Sequence, residues 1–313
     1  MGGLQLENPN LFPAPQIKQI YNEKNGNAYR LSRVVQPPTK SVYAVLNENK
    51  QFSEFLEACS GFGATQILAW AGISDEVNPA TGSSPQDAYT IFTRNYKMGS
   101  TSIEEACLDY NVKMFNTYNY TLFAPDNTAM QKAFSQGLPK WSDIQALFEK
   151  YAELDDNHTV TAQEEADKAL AYVKIKAIRD FVRYHFMTNS VYADNTVDQG
   201  RYSTLSADEM GIAKEVTLSG GGGSLNVSDL TGHTVSINST GSKMANKMAR
   251  DYWFNSNKMR ASSIVTSSFC AVHQISEPLY GESSGRFDAA WANKTSFAKS
   301  MRAYKQRKAN HEL

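Results

Sequence analysis

The chain has 313 residues, of which 41% are hydrophobic, 11% aromatic and 20% charged, with a formal net charge of −1. That is enough apolar material for a real core, and too little net charge for bulk attraction to nucleic acid or an anionic membrane. Three distant cysteines, Cys59, Cys107 and Cys270, fit no zinc, redox or disulfide-framework spacing and read as buried thiols, with a single bridge left open.

No apolar run is long enough to span a bilayer, so no transmembrane segment is expected. The start, MGGLQLENPN, lacks the basic and apolar regions of a signal peptide, and Leu6 stands where a myristoylation signal needs serine or threonine. The expectation is a cut inside a longer chain, whose signal would lie upstream. Residues 4–16 carry Pro9, Pro13 and Pro15 and read as an extended leader. Asn25-Gly26 then marks a hairpin turn, and the alternation from Ala28 to Val34 predicts a strand with one buried face. That strand echoes SFCAVHQISEP at 268–278. With Pro37 set over Pro278, Tyr29 falls on Cys270, Leu31 on Val272 and Val34 on Ile275. Residues 1–40 are therefore read as a leader plus the closing strands of a preceding, truncated repeat, the alternative being an edge hairpin of the domain that follows.

That domain is placed at 41–280. Val42, Val45 and Leu46 share a helical face, which Phe52, Phe55, Leu56 and Cys59 continue until Gly61 and Gly63 end it. Residues 72–103, rich in glycine and proline, read as a long irregular excursion with a short strand between Tyr89 and Tyr96. Next comes YTLFAPDNTAM, 120–130: an apolar strand that stops at Ala124-Pro125, then Asp126-Asn127 opening a helix as caps. A helix is predicted over Trp141–Tyr151. Thr161 and Glu164 have capping-box spacing and start another that runs to about Phe186, with Ala171, Ile175, Ile178, Val182 and His185 as its stripe. From Tyr192 the period changes to two. Strands are predicted at Thr204-Leu205, Val216–Leu218, Leu225–Val227 and Thr234–Ile237, with a turn at Gly220–Gly223. Residues 241–260 read as a basic insertion carrying Trp253 and Phe254, and 261–279 supply the last strands. Residues 281–313 are a linker and a C-terminal helix bearing Phe287, Trp291, Phe297, Met301 and Tyr304. Helices come mostly first and strands mostly last. The predicted class is therefore α+β, with helices of the N-terminal half packed on a small β-rich half.

In that order the chain resembles the fasciclin-like domain. Thr121-Leu122-Phe123-Ala124-Pro125-Asp126-Asn127-Thr128-Ala129-Met130 is similar to the family's first block, with Met130 in place of the usual phenylalanine. Tyr184-His185 is similar to its second block. Val272-His273 followed by Pro278-Leu279 is similar to its closing pattern, without the usual Asn-Gly before the strand. The match covers about 41–280, with extra chain near 71–117, 150–167 and 241–260. Such elaboration resembles the fasciclin-like envelope lipoproteins of Bacteroidetes. The resemblance implies an exported, non-enzymatic adhesion or protein-binding module at the cell surface, outer membrane or periplasm of a bacterium. Anchoring would be through a lipid on a missing N-terminus. The alternative it implies is a glycan-binding accessory of an outer-membrane uptake complex.

The chemistry-bearing residues divide accordingly. Asp126 and Asn127 read as structural caps. Tyr184-His185 is the family's adhesion-associated pair, with His185 on the apolar stripe and Tyr184 able to reach a partner at the surface. His273 lies on a strand face opposite Val272. Neither it nor His158, His185 and His233 has a metal-ligand spacing, so no metal and no cofactor is expected. Asp155-Asp156 and Glu164-Glu165 read as solvated charges. Trp253-Phe254 either pins its insertion to the core or offers a platform to a protein partner or a surface glycan. No nucleophile motif is present, so no catalytic residue is assigned.

Overall fold

The computed structural model describes residues 17–32, 42–73, 92–94, 110–112, 119–155, 158–193, 197–208, 211–238, 247–254 and 264–282. Most of the 72–103 excursion, Cys107 and the C-terminal helix expected beyond Gly285 lie outside them. The described helices are α1 (Val42–Asn47), α2 (Ser53–Ser60), α3 (Thr65–Trp70), α4 (Asn127–Ser135), α5 (Trp141–Glu149) and α6 (Ala162–Tyr184). The strands are β1 (Ile17–Glu23), β2 (Gly26–Leu31), β3 (Phe92–Arg94), β4 (Tyr110–Val112), β5 (Asn119–Pro125), β6 (Phe186–Thr188), β7 (Gly200–Ala207), β8 (Ala213–Gly221), β9 (Ser224–Ser228), β10 (Thr234–Asn238), β11 (Lys247–Phe254) and β12 (Ile264–Ile275). The α+β class therefore holds.

Eight strands form one sheet in the order β10-β9-β8-β7-β6-β5-β12-β11. Neighbours are antiparallel except β12 and β5, which run parallel from Phe269↔Asn119 to Ile275↔Pro125. A parallel pair needs a long crossover, and here that crossover carries α4 to α6 and the β7–β10 meander. The strand with the FAP ending thus sits inside the sheet, and both of its faces are apolar for that reason. Tyr120, Leu122 and Ala124 face a cluster built with Phe52, Phe55, Leu68, Met130, Ile144, Ile175 and Ile178. Phe123 faces the other way, into a second cluster with Tyr184, Met187, Val216, Val227, Ile275 and Leu279. Thr121, fully buried, satisfies its hydroxyl by donating to the Asn189 carbonyl at 2.8 Å and accepting the Val191 amide at 2.9 Å.

Two close approaches set the packing. An added Cβ at Gly61 would lie 2.0 Å from Trp141 Cε2, so only glycine lets the α5 indole pass. That indole donates to the Ala58 carbonyl at 3.0 Å and meets Phe62 edge-on at 5.0 Å. At the β8–β9 turn, Gly222 and Gly223 have φ of 62° and 85°, the paired positive values a two-residue hairpin turn requires.

Residues 247–254, within the stretch read as an insertion, form β11, paired with β12 from Lys247↔Val272 to Phe254↔Ile264. One expectation changes. The hairpin β1–β2 forms around the predicted turn, but its predicted buried face is exposed. Ile17, Ile20 and Tyr29 stand 43%, 53% and 50% open.

Candidate functional site

The corner after β5 is tied on three sides. The Asp126 amide donates to the Ile275 carbonyl at 2.9 Å, extending the β5–β12 ladder by one rung. Its Oδ1 accepts the Ala129 amide at 3.0 Å as the N-cap of α4. Its Oδ2 accepts Gln274 Nε2 at 2.8 Å and the Ser276 hydroxyl at 2.5 Å, so the same carboxylate holds the end of β12. Asn127 serves a different helix. Its Oδ1 accepts the Glu54 amide at 3.2 Å and its Nδ2 donates to the Lys50 carbonyl at 3.1 Å. Phe52, the N-cap residue of α2, supplies no side-chain bond, and Asn127 fills that role from across the chain.

The Tyr184-His185 pair lies behind this corner in the core, and neither side chain is accessible. The surface role expected for Tyr184 is thereby corrected: α6 ends at this residue, and its phenol turns inward to donate to the Glu215 carbonyl at 2.9 Å. Burial, with Asp229 nearby, pushes that phenol above the usual tyrosine range. His185 Nδ1–H donates to the Phe181 carbonyl at 2.8 Å, and Nε2 accepts the Leu279 amide at 3.2 Å. Those partners require the neutral ring with its proton on Nδ1. Burial pushes its pKa down to about 4, against a smaller upward pull from the Phe181 carbonyl. A partner-binding role for His185 is corrected on the same ground. His273 is equally sealed. Its Nε2–H donates to the Val191 carbonyl at 2.8 Å, its ring stacks on Phe123 at 5.9 Å, and burial lowers its pKa to about 4. Tyr184, His185 and His273 therefore converge, but as fully buried joints of β5, β6, β12 and α6.

No family model matches the chain, and no curated protein matches it. Trp253 and Phe254 are successive positions of β11, in register with Val265 and Ile264. Among the described residues no group of three or more His, Cys, Asp and Glu is placed to hold a metal, and no described helix is long and apolar enough to cross a membrane.

The surface feature the sequence underestimates is the β1–β2 hairpin. Its register pairs Ile20 with Tyr29 and Ile17 with Leu31, with an irregularity between Ile17 and Gln19. Positions three apart on a strand normally face opposite ways. The irregularity turns Ile17 onto the face of Ile20, Tyr29 and Leu31. The opposite face holds Gln19, Tyr21, Ala28 and Arg30. The ribbon thus has one apolar face, on which Ile17, Ile20 and Tyr29 are exposed and Leu31 is half-buried.

The second missed feature lies at the start of α6. Glu164, read as solvated, is 2% exposed at its side chain and bonded from two sides: by His158 Nε2 at 2.8 Å and by Lys168 Nζ at 2.8 Å. Burial works to raise its pKa, but those hydrogen bonds outweigh it and hold the carboxylate below its ordinary range. The neighbouring Asp167 accepts from Lys150 at 3.0 Å, the Tyr151 hydroxyl at 2.9 Å and Gln163 at 2.9 Å, and is held low in the same way against burial. Thr161 and Glu164 share capping-box spacing, yet only half the box forms. The Thr161 hydroxyl accepts the Glu164 amide at 3.1 Å, while the Glu164 carboxylate turns to His158.

Proposed function

We propose that this chain is a non-catalytic, exported adhesion or protein-binding module of fasciclin-like kind, acting through the β1–β2 hairpin on a rigid α+β body. The single observation carrying the reading is the apolar ribbon face of Ile17, Ile20, Tyr29 and Leu31. A two-stranded hairpin is marginal alone in water. An apolar face left open on one is the mark of a surface that meets a partner. What supports the non-catalytic half is the use of both motif histidines: each is neutral, sealed and bonded to backbone. The glycan-binding alternative, drawn from the resemblance and from Trp253-Phe254, has only the place of those two residues in β11 beside it.

Cells displaying the full chain are scored for aggregation with one another and for attachment to a cell monolayer. Beside them stand cells displaying Ile20→Ser/Tyr29→Ser and cells displaying the opposite-face control Tyr21→Ser/Ala28→Ser. Losing two apolar anchors from an interface core should weaken attachment at least about tenfold, with the control unchanged. Equal attachment by all three displays rejects the hairpin as the binding surface.

A further inference from the structure

One side chain just before α6 reaches both the Asp155 carbonyl and a carboxylate in the first turn of that helix. His158 Nδ1 lies 2.6 Å from the Asp155 carbonyl, and Nε2 lies 2.8 Å from Glu164 Oε2. A carbonyl only accepts, and a carboxylate kept ionised by Lys168 only accepts. Both ring nitrogens must then carry a proton, so the geometry belongs to the imidazolium. Removing either proton leaves a nitrogen lone pair facing an oxygen at hydrogen-bond distance, and one of the two contacts must break. We propose that His158 is a proton-operated clasp: charged, it bridges the Asp155 carbonyl and Glu164 in the first turn of α6, and neutral, it keeps only one of the two.

The surroundings fit the role. Glu164 and Lys168 on α6 face the ring side, Asp155 lies in the turn itself, and Lys150, Tyr151 and Asp167 form the next layer. The bond to Glu164, then the Asp155 carbonyl, pulls the ring's pKa upward, and partial burial opposes them. His158 is 27% exposed at its side chain, so protons reach it without unfolding. Across pH 6 to 9 the buried rings of His185 and His273, pushed down to about 4, stay neutral. Burial and Asp167 push the Tyr151 phenol upward, out of the same window.

The test is amide hydrogen exchange by mass spectrometry on the full chain at pH 6.0 and pH 9.0, corrected for the pH dependence of intrinsic exchange. The wild type is compared with His158→Gln and Glu164→Gln. Protection of peptides covering 152–161 should fall at least about tenfold from pH 6.0 to 9.0 in the wild type, while the centre of α6 keeps its protection. In His158→Gln the same peptides should be weakly protected at both pH values, with α6 again intact. The imidazole resonance lost in His158→Gln should titrate at higher pH in the wild type than in Glu164→Gln. Equal protection of 152–161 at both pH values in the wild type, or a pH step that survives His158→Gln, overturns the proposal.

Discussion

Asp126 uses both carboxylate oxygens and its amide to join three elements, so its loss is felt beyond one helix end. Asp126→Ala removes the α4 cap and leaves Gln274 and Ser276 without their acceptor. We expect it to lower unfolding free energy by about 2–4 kcal/mol in urea denaturation, from the cap plus the unsatisfied donors. Asp126→Asn keeps one accepting oxygen and should cost about half as much. His185 and His273 make the opposite kind of residue-scale statement. Their folded pKa values of about 4 lie below the unfolded value of about 6.5. The stability they confer is complete above that unfolded value and is lost as pH falls from 6.5 toward 4, because the unfolded chain takes up the protons first. At pH 5 each ring should cost on the order of 2 kcal/mol. Denaturation between pH 7 and 5 checks the slope, and His273→Gln should remove about half of it.

At the scale of elements, α2 has its N-terminal cap on another helix. Asn127→Ala should cost about 1 kcal/mol and raise exchange at Glu54 and Phe55 more than in α4, because the lost bonds belong to α2. Gly61→Ala sets a methyl where the Trp141 ring lies, and overpacking there should cost roughly 1–3 kcal/mol in the same assay. These joints also show what local sequence carries. The β5 apolar run, the Asp126 cap, the α6 stripe and the Gly222-Gly223 turn are set by residues within one element, and each was legible. Helix α3 was missed because Thr65–Trp70 is a bare six residues with no side-chain cap. Strand β11 was not foreseen inside the 241–260 insertion because its partner is an element, β12, and not a local pattern. The burial of Tyr184 was missed for the same reason: the carbonyl it bonds belongs to β8, thirty-one residues on.

At the scale of the whole molecule, the motif residues lie where β5 and β12 meet in parallel, between two apolar clusters, and what the chain offers outward lies elsewhere. Sequence alternation marked β1–β2 as a half-buried strand pair, and it does have a single apolar face, but only the Ile17/Gln19 irregularity decides which side chains share it. The most direct measurement is attachment by cells displaying the wild-type chain, Ile20→Ser/Tyr29→Ser or Tyr21→Ser/Ala28→Ser, at equal surface density and with equal thermal unfolding of the domain. The expected result is attachment by the wild type and the opposite-face control, with at least about a tenfold loss for Ile20→Ser/Tyr29→Ser. Undiminished attachment by the Ile20→Ser/Tyr29→Ser display would contradict a binding role for the hairpin face.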